Sequence, residues 1–480
     1  MVDAQGHKLN GAEGQARRDE EDWQRWHRFS LSTSLYWKNC RAASFQVNTD
    51  SKRELRAMVL LATPVVIAEL GWMLMGIVDT VMVGWLGPAA IGSVGIGHAL
   101  FDAIGLFGIG LLAGLDTRIS QSFGAGEEEE CDRWLRAGFV LAVAGSLILM
   151  TLTWVSTPLL STWGINAEVA RDAAPYTRVL SLSLLPMLLF SSLRRFLQAT
   201  NVTRPVMWAI GVANVLNIAG NWIFIPRVGV IGSAWSTLGA RVGMFLFLTL
   251  SVWWARPQLW THLFDRTSYG IARLMNLLRL GMPAAVQITV EIAAFAGATL
   301  LAGKLSVEDL AAHQITLTLA ATAYMVPLGI SMAGAVRVGQ AIGAADFEAA
   351  RRRGWTAISL AAAFMLCSGL VMISIPHQIL NWFTHDADVH AVGIRLLRLA
   401  ALFQLFDGVQ VATTGVLRGG GDTVTPMYAH TAAYWVFGLP IGYWLCFSRH
   451  WGIEGIWMGL TLGLIIAASV LLALWWRKGR

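Results

Sequence analysis

The chain has 480 residues, of which 55% are hydrophobic and 14% charged, and its mean hydropathy is +0.55. Soluble domains carry about 25% charged residues, so this composition excludes an ordinary soluble fold and describes a polytopic membrane protein. The net charge of +6 does not call for nucleic acid, because the Lys and Arg residues sit at the ends of apolar runs, where membrane topology accounts for them.

The first 56 residues are polar, with no apolar h-region. They are read as a cytoplasmic tail (1–56), whose Trp23, Trp26, Phe29, Tyr36 and Trp37 among basic residues suit either a membrane surface or an unstructured extension. Apolar runs bounded by Gly, Pro or charge then predict twelve spans, near 57–84, 89–122, 134–158, 169–199, 205–226, 230–254, 272–303, 308–341, 354–376, 390–417, 424–447 and 452–476. The second and eighth, at about 34 residues, would be ~51 Å long at 1.5 Å per residue, so they must protrude or bend at their glycines. Two six-helix bundles are expected at 57–256 and 272–476, joined by a cytoplasmic linker (257–271) and followed by a basic tail (477–480). Lys and Arg are concentrated on one side: Arg133, Arg136, Arg194, Arg195, Arg204, Arg273, Arg279, Arg351, Arg352, Arg353, Arg418 and Arg477 against Arg171, Arg227, Lys304 and Arg449. That asymmetry places both termini in the cytoplasm. Cys40, Cys131, Cys367 and Cys446 stand singly, without metal or redox spacing.

The chain repeats itself. Pro64 and Pro283, Gly84 and Gly303, Arg118 and Arg337, Gln121 and Gln340, and Gly124 and Gly343 all stand 219 positions apart. Further on, FLQATNVTRPVM (196–207) lies over VLRGGGDTVTPM (416–427). Six spans is an even number, so each half begins and ends on the same side. The halves are then parallel repeats about an axis along the membrane normal, with a ligand site near the midplane between them.

Several acids fall inside apolar spans, where a charge costs at least ~2.5–3.5 kcal/mol: Glu69 and Asp79 in the first, Glu291 in the seventh and Asp407 in the tenth. Desolvation favours the neutral form of a carboxyl group, which can then exchange a proton or bind a cation. A helix–helix hydrogen bond is the structural alternative, and no span-internal Lys offers itself as partner. Asn217 and Asn221 are one turn apart on the fifth span and share a face.

The run ATPVVIAELGWMLMGIVDTVMVGWLG, FGIGLLAGLDTRISQSFGAG and VLNIAGNWIFI resemble the N-terminal half of multidrug and toxic compound extrusion (MATE) transporters. LGMPAAVQITVEIAAF, AAHQIT, MVPLGIS, RVGQAIG and FQLFDGVQVATTGVLRGGGDT resemble the C-terminal half. The similarity runs in order from Leu55 to the C-terminus, and acids at both Glu291 and Asp407 resemble the NorM-like branch. The resemblance implies an all-α, V-shaped fold of twelve transmembrane helices in two bundles related by a pseudo-two-fold axis. It implies a monomeric multi-pass antiporter of the bacterial inner membrane. That antiporter would export cationic amphiphiles for H⁺ or Na⁺, with no other cofactor and no nucleic-acid partner. It places cation or proton coupling at Glu291 and Asp407, with Na⁺ held between them if Na⁺ is the ion, and a second cluster at Asp79 with Asn217 and Asn221. Two features depart from the family pattern. Phe403 replaces a Tyr whose hydroxyl helps to hold Na⁺, which favours H⁺. Glu69 has no counterpart and is either an extra relay acid or the partner of Arg241.

Other motifs invite structural readings. Asp116 and Arg118 are expected to form a local ion pair, and His313 to pack or hydrogen-bond. The GxGD at 419–422 suggests an intramembrane aspartyl protease but falls in a short turn. Trp72, Trp208 and Trp435, with Met73, Met75, Met325 and Met332, either line a central cleft, as surfaces for flat cations, or face lipid. A lipid-linked sugar flippase of the same superfamily is the nearest rival, and would need a cavity lined by cationic residues.

Overall fold

A computed structural model describes residues 51–162, 167–261 and 270–478, and every regular element among them is helical. The interactions below lie within one compact unit, formed by the described residues up to Leu248 together with those from 270 onward. Residues 1–50 of the N-terminal tail and most of the 257–271 linker fall outside the described residues, whereas 51–56, expected to belong to the tail, form the first turns of the opening helix.

The helices are α1 (Ser51–Val83), α2 (Pro88–Leu111), α3 (Gly114–Gly124), α4 (Glu128–Ser156), α5 (Ala167–Ser181), α6 (Leu184–Ala199), α7 (Arg204–Val228) and α8 (Val230–Ala255). The second half contains α9 (Ile271–Ala302), α10 (Val307–Gly343), α11 (Phe347–Ser374), α12 (Ala387–Gly419), α13 (Val424–Thr431), α14 (Leu439–Tyr443) and α15 (Gly452–Lys478). Ten stretches are long and apolar enough to cross a membrane singly, α2 and α3 counting as one, and α5 with α6 makes another, bent by 43°. The remaining span, eleventh in chain order, runs from α13 through α14 with π-helical turns at Ala432–Gly438 and Trp444–Ser448. All twelve expected spans are therefore present. The second breaks at Leu112–Ala113, whereas the equally long α10 runs unbroken through Pro327. Asp346 and Asp386 start α11 and α12 by accepting hydrogen bonds from Ala349 N and from Asp388 and Val389 N, which satisfies amides that the helix leaves open. Leu60, Ile148, Val215 and Trp222 are among many large apolar side chains left exposed, as hydrocarbon requires of a surface it solvates.

The two halves are clamped by reciprocal contacts. α1 packs on α10, and its counterpart α9 packs on α2. A β-carbon on Gly110 would lie 2.5 Å from Ala285 Cα, and one on Gly329, the 219-shifted equivalent, 2.5 Å from Val66 Cγ2 and 3.0 Å from Val66 N. Likewise a β-carbon on Gly124 would overlap the carbonyl of Gln340, and one on Gly343 that of Gln121. Glycine allows these main chains to touch. The side chains obey the same exchange: Gln121 Nε2 donates to Gly419 O (3.2 Å), and Gln340 Nε2 donates to Ala199 O (2.9 Å). Positive φ values recur at matching turns, Gly126 (79°) with Ala345 (57°), and Asn201 (63°) with Gly421 (86°). Such reciprocity is what a pseudo-two-fold axis between the halves produces.

Gly110 and Gly329 make their approaches at mid-span, whereas Gly124, Gly343 and the two glutamines lie at the end that carries the Arg-rich turns. There Arg337 holds Glu54 through two 2.7 Å hydrogen bonds, and Arg273 holds Glu130 through bonds of 2.5 and 3.1 Å. Met58, Leu61 and Ala62 of α1 join Ile330, Ala333 and Val336 of α10 in one apolar cluster beneath them. Gly124→Ala and Gly343→Ala should each destabilise the protein by about 1–3 kcal/mol, since main chain cannot yield as a side-chain tip can. Gly76→Ala, whose β-carbon meets nothing within 4 Å, should be neutral or stabilising. Apparent melting temperatures in detergent, compared across the three variants, check this.

Candidate functional site

Each half encloses one polar cluster within apolar helices. In the N-terminal half, Asp79 of α1 is wholly buried. Its Oδ1 accepts hydrogen bonds from Asn217 Nδ2 (3.0 Å) and Asn221 Nδ2 (2.7 Å) of α7, and its Oδ2 from Thr237 Oγ1 (2.7 Å) of α8. Asn217 also donates to Thr237 Oγ1 (3.2 Å), so the one-turn spacing of the two asparagines aims both amides at one carboxylate. His98 Nε2 of α2 stands 3.8 Å from Asp79 Oδ2. The imidazole ring lies beside the buried Tyr176 ring of α5, 5.8 Å between centroids.

In the C-terminal half, Glu291 Oε1 of α9 accepts from Gln410 Nε2 of α12 (2.9 Å), and its Oε2 lies 3.5 Å from His430 Nδ1 of α13. Asp407 of α12 is buried and lies within electrostatic reach of Glu291. Gln404 and Gln410 flank it one turn away on the same helix. Their amide oxygens are buried and make no hydrogen bond among the described residues, nor does the Tyr434 hydroxyl on the first π-helical segment. Tyr434 is within electrostatic reach of both acids. Phe403 is buried, its ring edge-on to Phe295 (6.0 Å) and Trp457 (5.5 Å), so it walls the cluster with carbon rather than oxygen. Oxygen donors available to a hard cation thus come from Glu291, Asp407, Gln404, Gln410 and Tyr434.

Two expected pairings are corrected. Glu69 is the partner of Arg194 on α6 (Oε1 to a terminal guanidinium nitrogen, 2.8 Å), not of Arg241. Arg241 instead donates to Ser183 Oγ (2.6 Å) and lies over the rings of Phe101 (4.5 Å) and Trp72 (5.5 Å). Asp116 pairs with Arg195 rather than with Arg118, whose Nε donates to Asn276 Oδ1 (2.6 Å). The expected partner was two residues along the chain for Asp116 and in the sixth span for Glu69, and helix rotation presents a different arginine to each. His313 is buried between Trp457 Nε1 (3.1 Å from Nδ1) and Thr299 Oγ1 (3.0 Å from Nε2). Indole can only donate, which makes Nδ1 an acceptor and the ring a neutral hydrogen-bonding spacer. Asp422 sits in the turn before α13. Its burial is outweighed by the Lys478 ammonium and by the Thr425 N–H and hydroxyl, which hold its carboxyl below the ordinary range. It is a loop anchor.

Of the cleft aromatics, Trp72 stacks near Phe190 (6.5 Å), whereas Trp208 is exposed and Trp435 donates Nε1 to Val290 O (3.1 Å). Met73 and Met332 meet the other half, at Thr322 Oγ1 (3.8 Å) and an Arg194 terminal nitrogen (3.5 Å). Sequence reasoning missed His98, Asp102, Gln410, His430 and Tyr434. Asp102 was open to the cost argument that exposed Glu69, being an acid within an apolar span; the others carry no charge pattern that marks them.

The MatE family model matches residues 64–223 and 283–444, two segments whose starts show the 219-residue offset of the repeat. A probable multidrug resistance protein NorM from Mesorhizobium japonicum is 35% identical over 445 residues, 89% of this chain and 95% of its own. The multidrug resistance protein NorM of Burkholderia vietnamiensis is 36% identical over 431 residues, 87% of this chain and 92% of its own. The crystal structure of a eukaryotic MATE transporter shares the fold with a TM-score of 0.83 at 23% identity, covering 90% of this chain and 98% of that one. With the family model matched in both halves and NorM relatives aligned along most of its length, the chain belongs to the MATE family of multidrug transporters, in its NorM-like branch.

Proposed function

We propose that the protein is a secondary active antiporter that exports cationic amphiphilic compounds in exchange for protons. Glu291 and Asp407 serve as the exchanging acids, and Asp79, with Asn217 and Asn221, takes part from the other half. The observation that carries this reading is the pairing of two acids, Glu291 and Asp407, in apolar helices within reach of each other's charge. Two carboxylates so placed repel each other and shed that repulsion by binding either a proton or a cation. A proton moving down ~100 mV supplies about 2.3 kcal/mol, enough to drive uphill export when each exchange is obligatory. Glu69 neutralises Arg194, and Arg241 is covered by two rings, which speaks against the pyrophosphate-binding cavity of a flippase.

The buried unpaired oxygens of Gln404, Gln410 and Tyr434 support a second reading, Na⁺ coupling at the same acids. In that case Tyr434 replaces, from another helix, the hydroxyl that Phe403 lacks. The Lys/Arg asymmetry supports cytoplasmic termini, and the reading takes the two bundles (57–256 and 272–476) to work as a monomer in the bacterial inner membrane. In a chain otherwise freed of cysteine, a cysteine at Arg352 should be labelled from the cytoplasm and one at Lys304 from outside; the reverse pattern overturns this topology.

Competition between drug and proton has a fixed sign. A protonated carboxyl offers no charge to a cation, so drug binding should release protons and apparent affinity should fall as pH drops. The fall is at most about tenfold per pH unit for each proton displaced. Asp407→Asn and Glu291→Gln should each abolish gradient-driven export and flatten that pH dependence, and Asp79→Asn should impair export. Drug uptake into inside-out vesicles at equal expression measures this, and near-normal uptake by both C-terminal-half variants sinks the mechanism.

Proteoliposomes with H⁺ or Na⁺ gradients imposed separately distinguish the two ions. Export should proceed on a proton gradient without Na⁺, and Phe403→Tyr should add a Na⁺ response. If Na⁺ alone drives the wild type and Tyr434→Phe removes that response, the second reading holds.

A further inference from the structure

We propose that His98 and Asp102 form the proton route to Asp79, a positioning pair through which this buried acid exchanges its proton. The inference rests on the reading of Asp79 as an acid that changes protonation during transport. Asp79 is wholly buried and enclosed by Asn217, Asn221 and Thr237. An amide donates hydrogen bonds but does not relay protons, and the Thr237 hydroxyl already donates to the carboxylate. The charged and titratable groups facing this corner are few. Tyr176 approaches from α5 and Arg241 from α8, while His98 and Asp102 belong to α2. A phenol and a guanidinium hold their protons too tightly to shuttle them near neutral pH; an imidazole accepts on one nitrogen and releases from the other.

The geometry favours this use. His98 Nε2 is buried, makes no hydrogen bond among the described residues, and lies 3.8 Å from Asp79 Oδ2. A closure of ~1 Å brings the two to hydrogen-bonding distance. The absence of a β-carbon on Gly97 lets the Tyr176 ring lie against α2 beside the imidazole. Asp102 is one helical turn further along and shares the face of His98; unlike Asp79 its side chain reaches the accessible surface, within a recess enclosed enough to desolvate the carboxyl. Arg241 and His98 both interact electrostatically with it. A proton therefore has a stepwise path: onto the Asp102 carboxylate, to one imidazole nitrogen, and from Nε2 to Asp79 Oδ2. The reverse sequence releases it, and no bond other than O–H and N–H is made or broken.

A relay changes rates without changing equilibria, which separates it from a ligand or a structural prop. Purified full-length protein in detergent is mixed rapidly with ethidium in weak buffer, and proton release is followed with a pH-indicator dye. Asp79→Asn should remove one part of the release. His98→Gln should slow that same part at least tenfold while leaving its amplitude and the ethidium Kd unchanged, and Asp102→Asn should slow it in the same direction. A wild-type rate in His98→Gln, or a loss of amplitude, overturns the relay. If His98→Gln fails to bind ethidium, Asp102→Asn, altered at a position that reaches the accessible surface, decides alone, and a wild-type rate there overturns it. If Asp79→Asn removes no proton release, the reading of Asp79 falls and takes the relay with it. That outcome is distinct from one in which Asp79 matters and His98 does not.

Discussion

The close approach of main chains across the pseudo-two-fold axis is the constraint on which the rest of this structure depends. Without a hydrophobic driving force between helices in lipid, packing and hydrogen bonding must hold the halves together. Gly110 against Ala285, Gly329 against Val66, and Gly124 and Gly343 against the glutamine carbonyls provide that packing. Gln121 and Gln340, each donating to a carbonyl of the other half, provide the hydrogen bonds. Because both sets obey the same residue offset, the interface is self-complementary, as an isologous dimer interface is. The contacts of Gly124 and Gly343 lie at the Arg-rich end of the helices, and those of Gly110 and Gly329 carry the packing inward to mid-span.

Buried charge is handled in three distinct ways. Glu69 with Arg194 and Asp116 with Arg195 are ion pairs, in which each charge removes the need to hydrate the other. Asp79 is held by neutral donors from two helices, a setting that orients a carboxylate without cancelling its charge. Asp407 has neither, only the field of Glu291, the unpaired amide of Gln404 and the unpaired amide oxygen of Gln410. Unsatisfied polar groups are costly in a low-dielectric interior, and a transporter is where such a cost has a use: the ligand that relieves it is bound. The gradation from paired to unpaired separates structural charges from exchanging ones more sharply than position along a span does.

The π-helical turns of the eleventh span belong to the same logic. A π turn shifts the helical register, and such bulges are frequent at functional sites. Here one turn carries Tyr434 to the vicinity of both acids, while His430, one turn earlier, faces Glu291. The span continues beyond it to Ser448, so the irregularity alters aim without breaking the crossing.

Much of this was legible in the sequence. Twelve apolar runs, a 219-residue repeat and acids at Glu69, Asp79, Glu291 and Asp407 are local facts, because in lipid a continuous apolar run of about 20 residues satisfies its own backbone only as a helix, whose length the bilayer sets. The one-turn spacing of Asn217 and Asn221 even foretold that they act together, and the repeat fixed the fold's symmetry. Partners were another matter. Which Arg meets Glu69, that Asp116 turns to Arg195, and that His98 and Tyr434 stand beside the acids depend on how each helix is rotated about its own axis. That rotation is set by packing between residues as far apart as Asn217 and Asp79, 138 positions along the chain, and no periodicity within a single span records it.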